Sequence, residues 1–360
     1  MTEFLQQLIN GISVGAIYAL IAHSDVFMVG AYLGYYLGPR LGGGSIGGGL
    51  VVLAAAMAGC AILGMQIERF AYRPLRRPTR LSLAAVLGWC GGAAAGWFVV
   101  PLALRGLAGW SPGWATYAPL LKPLAAWAGA ELGCRLAEAG FGRTPGLRAS
   151  VLNSRGGAAT LTVLITAIGV SLLLQNLGQK VFGANPKAFP QPFPVTQFHF
   201  SGLTVSSNQL VVLLVTLVLL GALHYVVHHT RTGTALRAVS FNATAASLVG
   251  IHNDRIIAFT FALGSALAGA GGILYAMNYP SIDPLMGTLP GLKAFVAAVL
   301  GGIGNLPGAA LGGLLIGLVE TLVSGTRLST FRDAIAFAIL IGILLFRPAG
   351  LLGRLRVEKV

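Results

Sequence analysis

An all-α, polytopic transmembrane helical bundle is the fold class this sequence predicts, and three observations predict it. Of the 360 residues, 55% are hydrophobic and only 9% are charged, against roughly 25% charged in soluble globular chains. Several apolar runs reach the roughly 20 residues that a helix needs to cross a bilayer. These runs do not alternate apolar and polar residues, as the strands of a membrane barrel would. We expect about 8–11 spans, since each such run can bury its backbone polar groups only as helix.

The net charge of +14 could suggest nucleic acid in a soluble protein. Here it fits a membrane protein whose basic residues collect in cytoplasmic loops, because they resist translocation. Cys60, Cys90 and Cys134 lie far apart in or beside apolar runs, which gives neither a metal spacing nor a disulfide framework. Residues 4–22 have no basic stretch before them, so they read as a retained first span rather than a cleaved signal.

The elements follow in order. A short apolar run, 24–38, begins at Asp25 after almost no loop, and 46–66 is the next span. Residues 68–80 carry Arg69, Arg73, Arg76, Arg77 and Arg80 and mark the cytoplasm. Runs at 81–104 and 114–132 are followed by a second basic segment, 134–157, with Arg135, Arg143, Arg148 and Arg155. Residues 158–177 form a further span, and the Pro-, Phe- and Thr-rich loop 178–208 suits the outside face. The run 209–227 returns to the polar stretch 231–257, and 256–277 leaves it again. Residues 292–323 are apolar but interrupted by GGIGNLPG at 301–308, and 334–345 is the last run before a basic tail. An outside N-terminus, an inside tail and about 11 crossings place 16 of the 24 Lys and Arg inside. That scheme needs a cytoplasmic turn at 301–308, and it leaves Arg327 and Arg332 outside.

Three regions stand out chemically. The stretch 231–257 has basic residues, then Gly233, then the small residues Ala243, Ala245, Ala246 and Gly250. It reads as helical, and Gly250 is placed to supply a left-handed residue at a helix C-terminus. Small side chains would let another protein approach closely, although an ordinary solvated loop has the same composition. Second, Gly264, Ala268 and Gly272 recur at four-residue spacing, as do Gly308 with Gly312 and Gly313 with Gly317. Such faces allow close helix packing in lipid, within this chain or against another subunit. Third, Lys293 and Glu320 lie inside apolar runs. Intramembrane charges are functional suspects, while snorkelling to the interface is the plainer reading for Lys293. His228 and His229 adjoin the polar stretch and read as interfacial rather than as metal ligands. No nucleophile–base spacing stands out, so the chain does not read as an enzyme. It also has no G-x-x-x-x-G-K-[ST] sequence to cradle ATP phosphates.

TGTALRAVSFNATAASLVGI, at 232–251, resembles the cytoplasmic coupling segment of ABC-transporter permeases. The following IHNDRIIAFTFALGSALAGAGGILYAMNYPSIDPLMGTLPGLKAFVAAVLGGIGNLPGAALGGLLIGLVETL resembles branched-chain amino acid permeases of the LivH type. AYRPLRR, LTVLITAIGVSLLLQN with FGANPKAFP, and FRPAGLLGR are similar to the same family. The resemblance implies a multi-pass subunit of the inner membrane that imports leucine, isoleucine, valine or a related solute. Its implied partners are two ABC ATPase subunits, a homologous second permease subunit, a periplasmic solute-binding protein and membrane lipid. No nucleic acid is implied. ATP and Mg would sit on the ATPases, and no cofactor on this chain.

Carried onto this sequence, the coupling loop 229–256 would dock an ATPase through Gly233, Ala235, Leu236, Arg237, Ala245, Ala246, Leu248, Gly250 and Ile251. Thr244 stands where such loops often carry an acid. For the translocation path we single out Gly301, Gly302, Gly304 and Asn305, where a helix break could expose backbone to a zwitterion. The chain divides into residues 1–80, an N-terminal membrane part; 81–158, an inserted helical hairpin and basic loop; and 159–360, a C-terminal membrane part. It departs from the family by that insertion and by lacking a stretch between Ala22 and His23. The alternatives are a self-sufficient secondary transporter or channel, and a degenerate subunit that does not transport.

Overall fold

The computed structural model describes residues 6–8, 10, 12–14, 24–41, 44–73, 157–200, 203–302, 304–327, 329–347 and 350–353. The chain separates into two units, Met1–Glu68 with Ala184–Val360, and Arg69–Gly183. Within the second unit, the long described element is α3, Gly157–Phe182. The proposed spans at 81–104 and 114–132 and the basic segment of the insertion lie outside the described residues, as does most of the run 4–22.

The first unit is built around α7, Asn253–Asn278. Residues 265–272 are all Ser, Ala, Leu or Gly, and Leu267 to Leu274 are buried all round. A helix buried on every side must present small residues wherever a neighbour comes close. Two helices do so, α1 (Ser24–Leu37) and α2 (Ile46–Ile67). A Cβ at Gly272 would strike the Phe27 carbonyl, and one at Gly269 would come within 2.7 Å of the Cys60 sulfur. Phe27 packs edge-on against Tyr275, with centroids 5.4 Å apart. Gly272 and the fully buried Ala268 thus serve packing within the chain.

The helix α2 continues through a π turn, Glu68–Tyr72, giving an apolar stretch of 27 residues, Ile46–Tyr72. Among the described residues, three more helices are long and apolar enough to cross a membrane. They are α4 (Ser207–His229), α7, and α9 (Leu306–Ser324). The helix α4 starts on a capping box in which Ser206 and Gln209 satisfy each other's free amides.

The apolar interval 292–323 is two helices, α8 (Thr288–Gly301) and α9. Gly301 meets Gly308, and Gly312 meets the Ala297 carbonyl, so the two run antiparallel as a hairpin. The expected break at 301–308 is therefore a full turn. The last helix, α10 (Arg332–Phe346), packs against both.

The loop 178–208 contains extended structure that the sequence reading missed. The strand β1 (Lys187–Ala188) pairs antiparallel with β4 (Ser281–Ile282), and β2 (Gln197–Phe200) pairs with β3 (Leu203–Ser206). Strands this short carry no periodic signal to read.

Candidate functional site

The polar stretch between α4 and α7 folds as two short helices, α5 (Arg231–Phe241) and α6 (Ala243–Leu248). One extended residue, Thr230, separates α4 from α5, and its side chain accepts a hydrogen bond from the Gly233 amide at 3.1 Å. Gly233 lies against the Val226 and Val227 carbonyls, where a Cβ would collide with both. Only glycine allows α5 to fold back this tightly on the end of α4. Asn242 then breaks the helix and caps α6, accepting from the amides of Thr244 and Ala245 at 3.0 Å.

The segment ends on the left-handed residue expected at Gly250, with φ +86°. The Ile251 amide donates to Ala246 and the Gly250 amide to Ser247, at 3.0 and 3.1 Å. These two bonds form the Schellman arrangement. Asn253, at the start of α7, donates to the Ala243 carbonyl at 2.7 Å. The segment is thus fixed at both ends to candidate spans.

Of the residues carried over from the family, Arg237, Ala245, Leu248 and Gly250 are exposed. Ala235, Leu236 and Ile251 are half-buried, and Gly233 and Ala246 are buried and hold the segment together. Thr244 is exposed. Sequence reading passed over Phe241 and Val249, which are 77% and 76% exposed and join Leu248 at 84%. Together they form an exposed apolar patch on a polar segment. Their apolar character within 231–257 was the available signal.

The second candidate group is the turn between α8 and α9. Gly302 and Gly304 have φ of +105° and +88°, and Asn305 caps α9 through the Gly308 amide. Gly301 and Gly302 are buried, and Gly304 is exposed. The carbonyls freed where α8 ends are taken by the chain's own tail. The Leu351 and Leu352 amides donate to Leu300 and Gly301 at 2.8 and 3.1 Å, and Asn305 donates to the Leu352 carbonyl at 3.0 Å.

A third group lies at the other end of the hairpin. Lys293 is not a snorkelling lysine. It is buried, with Nζ 2.6 Å from Glu320 and 2.7 Å from Asp333. Its ammonium therefore ties α8, α9 and α10 together. Arg332 lies 3.9 Å from both Glu320 and Asp333. The Tyr275 and Tyr279 rings lie beside the cluster, tilted by 32° with centroids 4.6 Å apart. Burial raises the pKa of the Tyr279 hydroxyl; Glu320 and Asp333 add to the rise and Arg332 opposes it. Sequence reading flagged Lys293 and Glu320 separately and missed their pairing, because 27 residues and a turn stand between them.

The architecture defines a helical membrane protein with an exposed, rigid segment between two of its spans. Comparison with known proteins makes the class specific. The family model described as branched-chain amino acid transport system / permease component matches residues 18–344, and the chain belongs to that family. It is 31% identical to the high-affinity branched-chain amino acid transport system permease protein LivH of Escherichia coli K12, over 99% of this chain and 98% of that one. The same figures hold for BraD, the corresponding permease protein of Pseudomonas aeruginosa. The ribose import permease protein RbsC of Escherichia coli K12 is 31% identical over 32% of this chain and 38% of its own. No solved structure matches. The LivH alignment runs over 381 positions, more than the 360 residues here, so that relative carries residues this chain lacks. The chain is an ABC importer permease of the LivH type and a multi-pass membrane protein.

Proposed function

We propose that this chain is a membrane-spanning subunit of an ATP-driven importer for branched-chain amino acids or closely related solutes, resident in the inner membrane. One of two ATPase subunits docks on the segment 229–256 and the other on the second permease subunit, and the two hold the ATP and Mg. A periplasmic binding protein delivers the solute, and a homologous second permease subunit completes the path. The observation that carries the reading is the fixed α5–α6 segment, with Phe241, Leu248 and Val249 exposed between two candidate spans.

The reading also assigns sides. The coupling segment faces the cytoplasm at the N-terminal end of α7. The charged cluster lies beside Tyr275 and Tyr279 at the other end, about 39 Å away at 1.5 Å per residue, and faces the outside. The tail, bonded to the α8–α9 turn, lies inside, as its basic residues require. Arg332 then stands outside, where the sequence scheme left it, with Glu320 and Asp333 each 3.9 Å away. Gly301, Gly302, Gly304 and Asn305 belong to the inner end of the path. There they hold the hairpin turn and the tail together, which limits any direct contact with solute to the exposed Gly304.

The test is copurification with the ATPases, comparing wild type with Leu248→Glu and Phe241→Glu. Retention by wild type and loss in both variants is expected, with solute uptake lost in parallel. ATPases equally retained by all three would overturn the docking surface. Ion-driven uptake by the chain alone in liposomes would replace the importer reading with a self-sufficient carrier.

A further inference from the structure

Among the described residues, one cluster of ionised side chains is not used by the coupling segment or by the α8–α9 turn. Lys293, Glu320, Arg332 and Asp333 bring two cations and two anions together where three helices meet. Its two halves differ. Lys293 and Glu320 are buried and in hydrogen-bond contact. Arg332 and Asp333 are adjacent in sequence and open, with side chains 46% and 37% exposed. Arg332 is held only loosely. At 3.9 Å from each carboxylate it makes no hydrogen bond among the described residues, so its fork of five donors is uncommitted. Asp333 is oriented from below, through the oxygen that faces Lys293 at 2.7 Å.

The geometry points to a recognition site for the ionised head of an α-amino acid at the outer end of the path. The solute carboxylate would lie on the Arg332 guanidinium, which suits a bidentate contact, and the solute ammonium on Asp333. Lys293 is a positioning residue that holds Asp333 and balances its charge, and Glu320 fixes Lys293 in turn. The physical reason is neutrality. The cluster carries equal numbers of each sign, and a zwitterion adds one more of each. Every charge can then keep an opposite neighbour while the head sheds water, which a lone carboxylate or lone amine would not allow. The inference rests on the proposed import of amino acids and on the sidedness assigned above.

The test uses the whole importer, permease subunits with ATPases, in lipid nanodiscs without the binding protein. The readout is the shift in thermal unfolding with added solute, which reports binding directly. Leucine should raise the unfolding temperature of wild type with increasing concentration. Isoamylamine, which lacks the carboxylate, and 4-methylpentanoate, which lacks the ammonium, should not. Arg332→Gln and Asp333→Asn should each require about ten- to a hundredfold more leucine for the same rise, and Arg332→Lys should recover part of the loss. A variant with a lower unfolding temperature but an unchanged response to leucine would show a purely structural cluster and overturn the site. Equal responses to leucine and its two half-analogues, or no response in wild type, would overturn it too. Uptake by wild type with its binding protein is measured in parallel. If uptake fails, the importer reading fails; if uptake proceeds while Arg332→Gln binds leucine normally, only the recognition site fails.

Discussion

Gly250 offers a perturbation that acts through the backbone alone. Its φ is +86°, and nothing lies within 4 Å of the position a Cβ would take. Left-handed backbone costs an ordinary L-residue about 1–2 kcal/mol, and Asn pays less because it tolerates this conformation. Gly250→Ala therefore disfavours the turn by about 5- to 30-fold relative to its alternatives. If ATPase docking requires the turn as folded, the apparent affinity falls by up to that factor. Gly250→Asn should fall between Ala and Gly. Two assays report the effect. Amide exchange at Ile251, whose N–H bonds to Ala246, should speed up in the same order as the substitutions. Titration of purified ATPases onto the permease in nanodiscs should show the matching order of affinities. Unchanged Ile251 protection in Gly250→Ala, or Asn weaker than Ala, would refute the reasoning.

Further predictions concern the hairpin and its ties. Glu320→Leu leaves buried Lys293 with Asp333, at 2.7 Å, as its remaining acid among the described residues, and should cost about 3 kcal/mol in an unfolding titration. Adding Lys293→Met to that variant should recover part of the loss, which a double-mutant cycle will measure. Asn305→Ala removes the α9 cap and the bond to Leu352, with a cost of about 1–2 kcal/mol; faster amide exchange at Gly308 reads it. Gly312→Leu drives a side chain into the Ala297 carbonyl and should cost about 1–3 kcal/mol or prevent assembly, read by unfolding temperature and yield.

Much of the fold could be read from the sequence, because hydrocarbon leaves few solutions. The runs at 46–66, 209–227 and 256–277 became α2, α4 and α7 with ends moved by a few residues, since each run must be helical to satisfy its backbone. Gly250 was legible for a similar reason: few residues other than glycine accept its torsion. The small-residue faces were visible, but not their partners, because spacing along one helix does not say which helix approaches. The same limit hid the Lys293 cluster. Its members lie on three helices, and nothing local marks Asp333 as the partner of a residue 40 positions earlier. Leu248 was expected in the coupling surface, whereas Phe241 and Val249 needed the fold to show that they face outward.

The joint at Thr230 has a mechanical consequence. A single residue links α4 to α5, and Gly233 presses on the last carbonyls of α4, so little slack remains in the hinge. The 23 residues of α4 and the 11 of α5 make arms of about 35 and 16 Å. Turned together about Thr230 as a rigid crank, a tilt of about 5° that moves the tip of α5 by ~1.4 Å moves the far end of α4 by ~3 Å. A push on the short arm of such a crank would reach the far end of α4 at roughly twice its amplitude and half its force.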